Sequence, residues 1–202
     1  MTPSIASAST ESLIGPNAVS QLLDVLTKEG GAELRSDFER KAGLVPLPDL
    51  TSMIPETVAA TAHNTVRHCY AKTSIGILKR AGYQTGDYIL ANRIPAPAKW
   101  LLKALPDFLA SRLLAQAVAK HAWTFAGSGE FRVTSQNPLT FTLKDNPLIR
   151  GENAASPQCI WHAMVFQRLF NALVDANAKV IETECCAMGH PACRFQISYE
   201  NT

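Results

Sequence analysis

The chain has 202 residues, 47% of them hydrophobic and 18% charged, with a formal net charge of +2. These values predict one domain with a substantial core, and a charge so near neutral carries no electrostatic footprint for nucleic acid. No run approaches the ~20 consecutive apolar residues that a membrane-crossing helix needs.

Residues 1–11 are mostly small and polar, with neither a basic start nor an apolar run of signal-peptide length. They are expected to form a flexible segment ahead of a single domain over residues 12–202. Five cysteines without a secretion signal predict reduced thiols in a cytoplasmic protein. After Gly15-Pro16, Asn17 is placed to cap a helix carrying Val19, Leu22, Leu23, Val25 and Leu26, ended by Gly30-Gly31. A second helix is expected through Phe38, and Pro46, Pro48 and Pro55 mark a turn region. Glu56 to about Arg80 predicts one long helix burying Val58, Val66, Ile77 and Leu78, broken by Gly82, with a further helical segment over Gly86 to Arg93.

Pro106 opens a helix expected to run from Asp107 through Leu113, Leu114 and Val118 to about Phe125, where Gly127-Ser128-Gly129 stops it. The period then changes to two. Phe131 and Val133, an Asn137-Pro138 turn, and Leu139, Phe141 and Leu143 predict a hairpin. A last helix from Cys159 to about Asp175 and a closing hairpin complete an α/β (α+β) domain, with helices packed on an antiparallel sheet.

Cys159, Glu182, Cys185 and Cys193 form the most informative constellation. Three thiolates and a carboxylate suit a tetrahedral zinc ion, and a shell filled by protein ligands is structural. The competing reading is that these cysteines are small buried hydrophobes. Glu182 to Cys193 reads as strand, tight turn and strand, with Gly189 and Pro191 supplying the turn, which brings Cys185 and Cys193 together. Glu182 and Cys185 are three residues apart and point to opposite faces of a regular strand, so a bulge or early turn near Cys185 is required. Cys186 and Cys69 stay outside the pattern.

These landmarks resemble a known family. Ile14-Gly15-Pro16-Asn17 ahead of the Leu-rich helix, Gly82-Tyr83-Gln84-Thr85-Gly86, and the closing Glu182, Cys185, Gly189, Cys193 and Phe195 resemble the bacterial vinyl-4-reductase domain. Arg93-Ile94-Pro95 and the segment His121-Ala122-Trp123-Thr124-Phe125-Ala126-Gly127-Ser128-Gly129 are similar, more narrowly, to the 4-vinyl reductase proteins of bacteriochlorophyll biosynthesis. The similarity covers nearly all the chain from Ser12 onward.

The resemblance implies a fold shared with a small subunit of the Golgi transport complex, with NO-signalling ligand-binding domains and with sensors of aromatic-responsive activators. It also implies a homodimer, an apolar ligand pocket formed by helices over the sheet, and a structural zinc on Cys159, Glu182, Cys185 and Cys193. The family name implies reduction of a vinyl group on divinyl protochlorophyllide. No Gly-x-Gly-x-x-Gly follows a predicted strand, no phosphate-binding loop is visible, and the cysteines do not match an iron–sulfur set. No bound redox cofactor is therefore expected.

The leading expectation is a carrier or assembly factor for a magnesium tetrapyrrole intermediate, working with other bacteriochlorophyll-biosynthesis enzymes. A reductase with an external reductant is the alternative, and a small-molecule sensor the third. His121, Trp123, Phe125 and Trp161 are the candidate ligand contacts, with His121 the candidate axial ligand. A peripheral contact with the photosynthetic membrane through the Trp100 to Val118 region is a further expectation.

Overall fold

The computed structural model describes residues 11–199. The segment expected to be flexible lies, apart from Glu11, outside the described residues. Two short antiparallel strands, β1 (Leu13–Ile14) and β2 (Ile54–Pro55), bracket the first helix. That helix, α1 (Asn17–Lys41), follows Pro16, whose φ of −65° suits a helix start. It buries Val19, Leu22, Leu23, Val25 and Leu26 on one face. At Gly30 and Gly31 the backbone leaves helical geometry, with Gly31 at φ 68°. The expected break is therefore a kink between two helical stretches, taken at a residue free to adopt positive φ.

The helix expected from Glu56 to Arg80 is instead two. The first, α2 (Glu56–Cys69), ends where Tyr70 turns to place its hydroxyl 2.7 Å from Asp37 Oδ2. The second, α3 (Ser74–Asn92), runs straight through Gly82 and absorbs the expected 86–93 segment. Gly82 does not break the helix because it serves packing. A Cβ there would stand 2.4 Å from the Trp161 carbonyl oxygen, and one at Gly86 would stand 2.6 Å from Arg168 Cβ. Two glycines one turn apart let α3 lie against a later helix, and that approach offsets the ~1 kcal/mol that a mid-helix glycine costs.

An additional helix, α4 (Ala96–Ala104), has Pro97 in its first turn, where no N–H donor is needed. The helix expected from Asp107 to Phe125 divides at His121 into α5 (Asp107–Lys120) and α6 (Trp123–Ala126). Among the described residues, no helix is long and apolar enough to cross a membrane.

The predicted hairpin is present as β3 (Glu130–Gln136) and β4 (Leu139–Lys144). After α7 (Ile160–Leu173) come β5 (Lys179–Glu184) and β6 (Cys193–Ser198), giving one antiparallel sheet in the order β3-β4-β6-β5. Register places Phe141 opposite Phe195, and period-two alternation sends Leu139, Phe141, Leu143, Phe195 and Ile197 to the buried face. Helix α7 lies across that face. Its Phe166 ring sits 5.2 Å from Phe141 and 5.4 Å from Phe195, and Phe125 stands 5.1 Å from Phe131, all edge-on. The helix–sheet interface, where the resemblance implies an apolar pocket, is filled here by phenylalanine rings. The architecture is the expected mixture of helices on an antiparallel sheet.

Candidate metal centre

Strand β5 would present Glu182 and Cys185 on opposite faces if it stayed regular. It does not. Pairing with β6 shifts between Glu182 and Glu184, a bulge, and the chain then leaves the strand at Cys185 for a 3-10 turn over Cys186–Met188. Gly189 closes that turn at φ 85°, a left-handed conformation that favours glycine. Cys193 opens β6, and Cys159 precedes the first turn of α7. Three elements thereby deliver one site.

The ligand atoms of Cys159, Glu182, Cys185 and Cys193 all lie within 4.8 Å of one another. Cys159 Sγ is 3.3 Å from Cys193 Sγ and 4.0 Å from Cys185 Sγ. Tetrahedral ligands at about 2.3 Å from a metal stand about 3.8 Å apart, so these sulfurs bracket that spacing. Glu182 Oε2 accepts the Cys159 backbone N–H at 2.8 Å, while Glu182 Oε1 is buried without a hydrogen-bond partner. A buried carboxylate oxygen left unpaired is costly, and a cation in the cluster would satisfy it. The donor set thus fits a metal ion. Cys186 and Cys69 lie outside the cluster.

The surroundings bear on charge. Burial pushes the Cys159 thiol well above its ordinary range and raises Glu182 to about 8. Hydrogen bonds from the Cys159 and Cys193 thiols hold Cys185 far below its ordinary value. Asn146 Nδ2 donates to Cys159 Sγ at 3.2 Å, and the Cys186 N–H donates to Cys193 Sγ at 3.4 Å. Asn146 also accepts the Leu148 N–H, and the Leu148 carbonyl accepts from Arg67. Burial depresses the Arg67 guanidinium, while Glu152, Cys159 and Cys185 act in the opposite sense. A divalent ion with three thiolates and one carboxylate leaves a net double negative charge, and Arg67 offsets part of it. Four protein ligands leave no open position, so a metal held here supplies rigidity, joining α7 to the β5–β6 hairpin.

The four candidate ligand contacts divide into two pairs. His121 is exposed, its Nδ1 lying 2.8 Å from the Ala117 carbonyl, and Trp123 is 59% exposed. Phe125 and Trp161 point inward and both pack on His162, with centroids at 6.1 and 5.0 Å. His162 and His63 are fully buried; desolvation lowers them to about 4 and about 3, so both are neutral. His63 contacts Trp161 edge-on at 5.6 Å, and Trp161 Nε1 has no hydrogen-bond partner.

Residues 139–199 match the vinyl-4-reductase domain, a stretch from β4 to the end of β6 that carries all four cluster residues. Beyond that segment, the chain is 50% identical over 185 residues to the bacteriochlorophyll synthase 23 kDa chain of Cereibacter sphaeroides, covering 91% of this chain and 89% of that one. The chain belongs to the bacteriochlorophyll synthase 23 kDa chain family. The Rhodobacter capsulatus family member is 47% identical over 186 residues, covering 92% and 86% of the two chains. In three dimensions the chain is similar to an H-NOX protein from S. oneidensis, crystallised in the Fe(II)NO ligation state. The TM-score is 0.59 over 93% of this chain and all of that one, at 10% identity, a likeness of fold alone.

Asn146 and Arg67 complete the site in this family member, and neither is legible from spacing. Asn146 lies in an Asp145-Asn146-Pro147 turn, and Arg67 in a helix remote in sequence. A polar residue at an otherwise inward helical position is the single hint that Arg67 leaves.

Proposed function

We propose that this protein serves bacteriochlorophyll biosynthesis by binding a magnesium tetrapyrrole intermediate, divinyl protochlorophyllide or a close relative, and passing it to other enzymes of the pathway. The identity with a named bacteriochlorophyll synthase chain over nine-tenths of both sequences carries this reading. The cluster of Cys159, Glu182, Cys185 and Cys193 holds a zinc ion in this reading, chosen because thiolate-rich four-coordinate sets favour it. Its role is structural. The ligands are supplied by protein on every side, so the ion braces the α7–sheet unit and takes no part in pigment chemistry.

Of the candidate contacts, His121 and Trp123 are accessible to a macrocycle in this conformation. The imidazole of His121 offers a nitrogen to a central magnesium, and the Trp123 ring offers an apolar face. Phe125 and Trp161 form the packed layer behind. A homodimer, tested by light scattering, belongs to the same reading.

Purified metal-loaded protein titrated with divinyl protochlorophyllide should show a saturable absorbance change, with no loss of the vinyl group when NADPH is added. Turnover by the protein alone would replace the carrier reading with that of a reductase. Absence of any spectral change or retained pigment would overturn tetrapyrrole binding itself.

A further inference from the structure

Helix α5 turns Ala110, Ser111, Leu114, Ala115 and Val118 inward, which satisfies its packing against the domain. Its opposite face carries Phe108, Leu109 and Leu113, and α4 just before it carries Trp100 and Leu101. Their exposures are 61%, 37%, 43%, 74% and 50%. Isolated exposed apolar residues are ordinary. Five large ones within fourteen positions are not, and the core of this domain makes no use of them.

Charge is distributed in the same place. Between residues 93 and 121 there are five basic residues against one acidic residue, Asp107, whereas the remainder of the chain is net acidic. Lys99 is engaged with the Leu90 carbonyl at 2.9 Å. Lys103, Arg112 and Lys120 are exposed, and among the described residues no ion pair involves them.

We propose that the α4–α5 surface docks on a lipid bilayer containing anionic headgroups, with Trp100, Leu101 and Phe108 entering the interface and Lys103, Arg112 and Lys120 meeting the lipid phosphates. Aromatic and leucine side chains flanked by Lys and Arg have the composition of in-plane interfacial segments, and each basic residue near an anionic surface adds attraction that salt screens. Charge also discriminates against a second copy as the occupant. Two such faces would bring like cations together, a repulsion that an anionic lipid surface reverses. The surface is formed without the metal ligands or His121, so the proposal stands apart from pigment binding.

The test uses the full chain in co-sedimentation with vesicles of phosphatidylcholine alone and of two parts phosphatidylcholine to one part phosphatidylglycerol. Binding to the mixed vesicles is expected, and it should weaken in high salt. Trp100→Glu combined with Phe108→Glu should lower the partition at least about tenfold, and Lys103→Glu with Arg112→Glu should remove the salt-sensitive part. In a Trp123→Phe background, tryptophan emission should shift to the blue on adding mixed vesicles, since Trp161 is already buried. Circular dichroism verifies folding, and Leu101→Gln with Leu109→Gln gives the same readout if the charged pair misfolds. Failure of the folded wild type to sediment with mixed vesicles would overturn the proposal. Unchanged binding by folded variants would overturn it too, as would a vesicle-free dimer that the variants dissociate while no vesicle binding occurs.

Discussion

The backbone N–H of Cys159 donates to Glu182 Oε2 at 2.8 Å, tying the start of α7 to the bulged end of β5. The carboxylate therefore has two tasks. One oxygen caps a helix N-terminus, where negative charge is favoured, and the other, buried without a partner, faces the thiols.

Glu182→Gln separates these tasks, because an amide oxygen still accepts the Cys159 N–H but is a poor metal ligand. Metal affinity should fall by more than the ~10–100-fold typical of losing an outer-shell partner, with α7 intact. Competition with a chromogenic chelator measures the affinity, and circular dichroism the helix.

Cys193→Ser should lower stability by about 3 kcal/mol or more when the metal is well above its dissociation constant. Chelator should lower the melting temperature of the wild type and leave that of Cys193→Ser unchanged. Cys186→Ser should retain full metal content by elemental analysis, since its thiol lies outside the cluster. Loss of pigment binding in Cys193→Ser with folding and metal intact would contradict a purely structural role.

Gly82→Ala should destabilise the fold by about 1–3 kcal/mol, because its Cβ would stand 2.4 Å from the Trp161 carbonyl oxygen. Helix propensity alone predicts the opposite sign. Urea unfolding decides between them: a midpoint that rises would mean that α3 and α7 are less closely packed than described.

His63 and His162, depressed by burial to about 3 and about 4, set an acid limit. The unfolded chain takes up their protons first, so stability is complete above the unfolded value of 6.5 and is lost as pH falls through that value toward the folded ones. Moving to pH 5 should cost about 2 kcal/mol per histidine. His63→Gln should remove roughly half of that difference between pH 7 and pH 5, measured by denaturant midpoints on metal-loaded protein. An equal slope in the variant would place the loss elsewhere.

His121→Ala should remove the coordination-dependent shift in the pigment absorbance while leaving the melting temperature within about 0.5 kcal/mol of wild type, as expected for an exposed side chain. An unchanged spectrum and affinity would eliminate axial ligation at that position.

Local features of the sequence determined much of this protein. Alternation over Phe131 to Leu143 made the hairpin legible, and the ligand spacing named Cys159, Glu182, Cys185 and Cys193 together with the bulge they require. Both depend on period and turn chemistry within short stretches, where neighbours in sequence are neighbours in space. Gly82 was legible as glycine and not as a contact, because the Trp161 backbone that it admits arrives from a helix almost eighty residues away. The same distance hid Arg67 and Asn146 behind the thiols, and separated exposed His121 and Trp123 from inward Phe125 and Trp161. Tertiary structure decided these points because close approach and desolvation belong to pairs of surfaces, and neither exists until the helices have docked on the sheet.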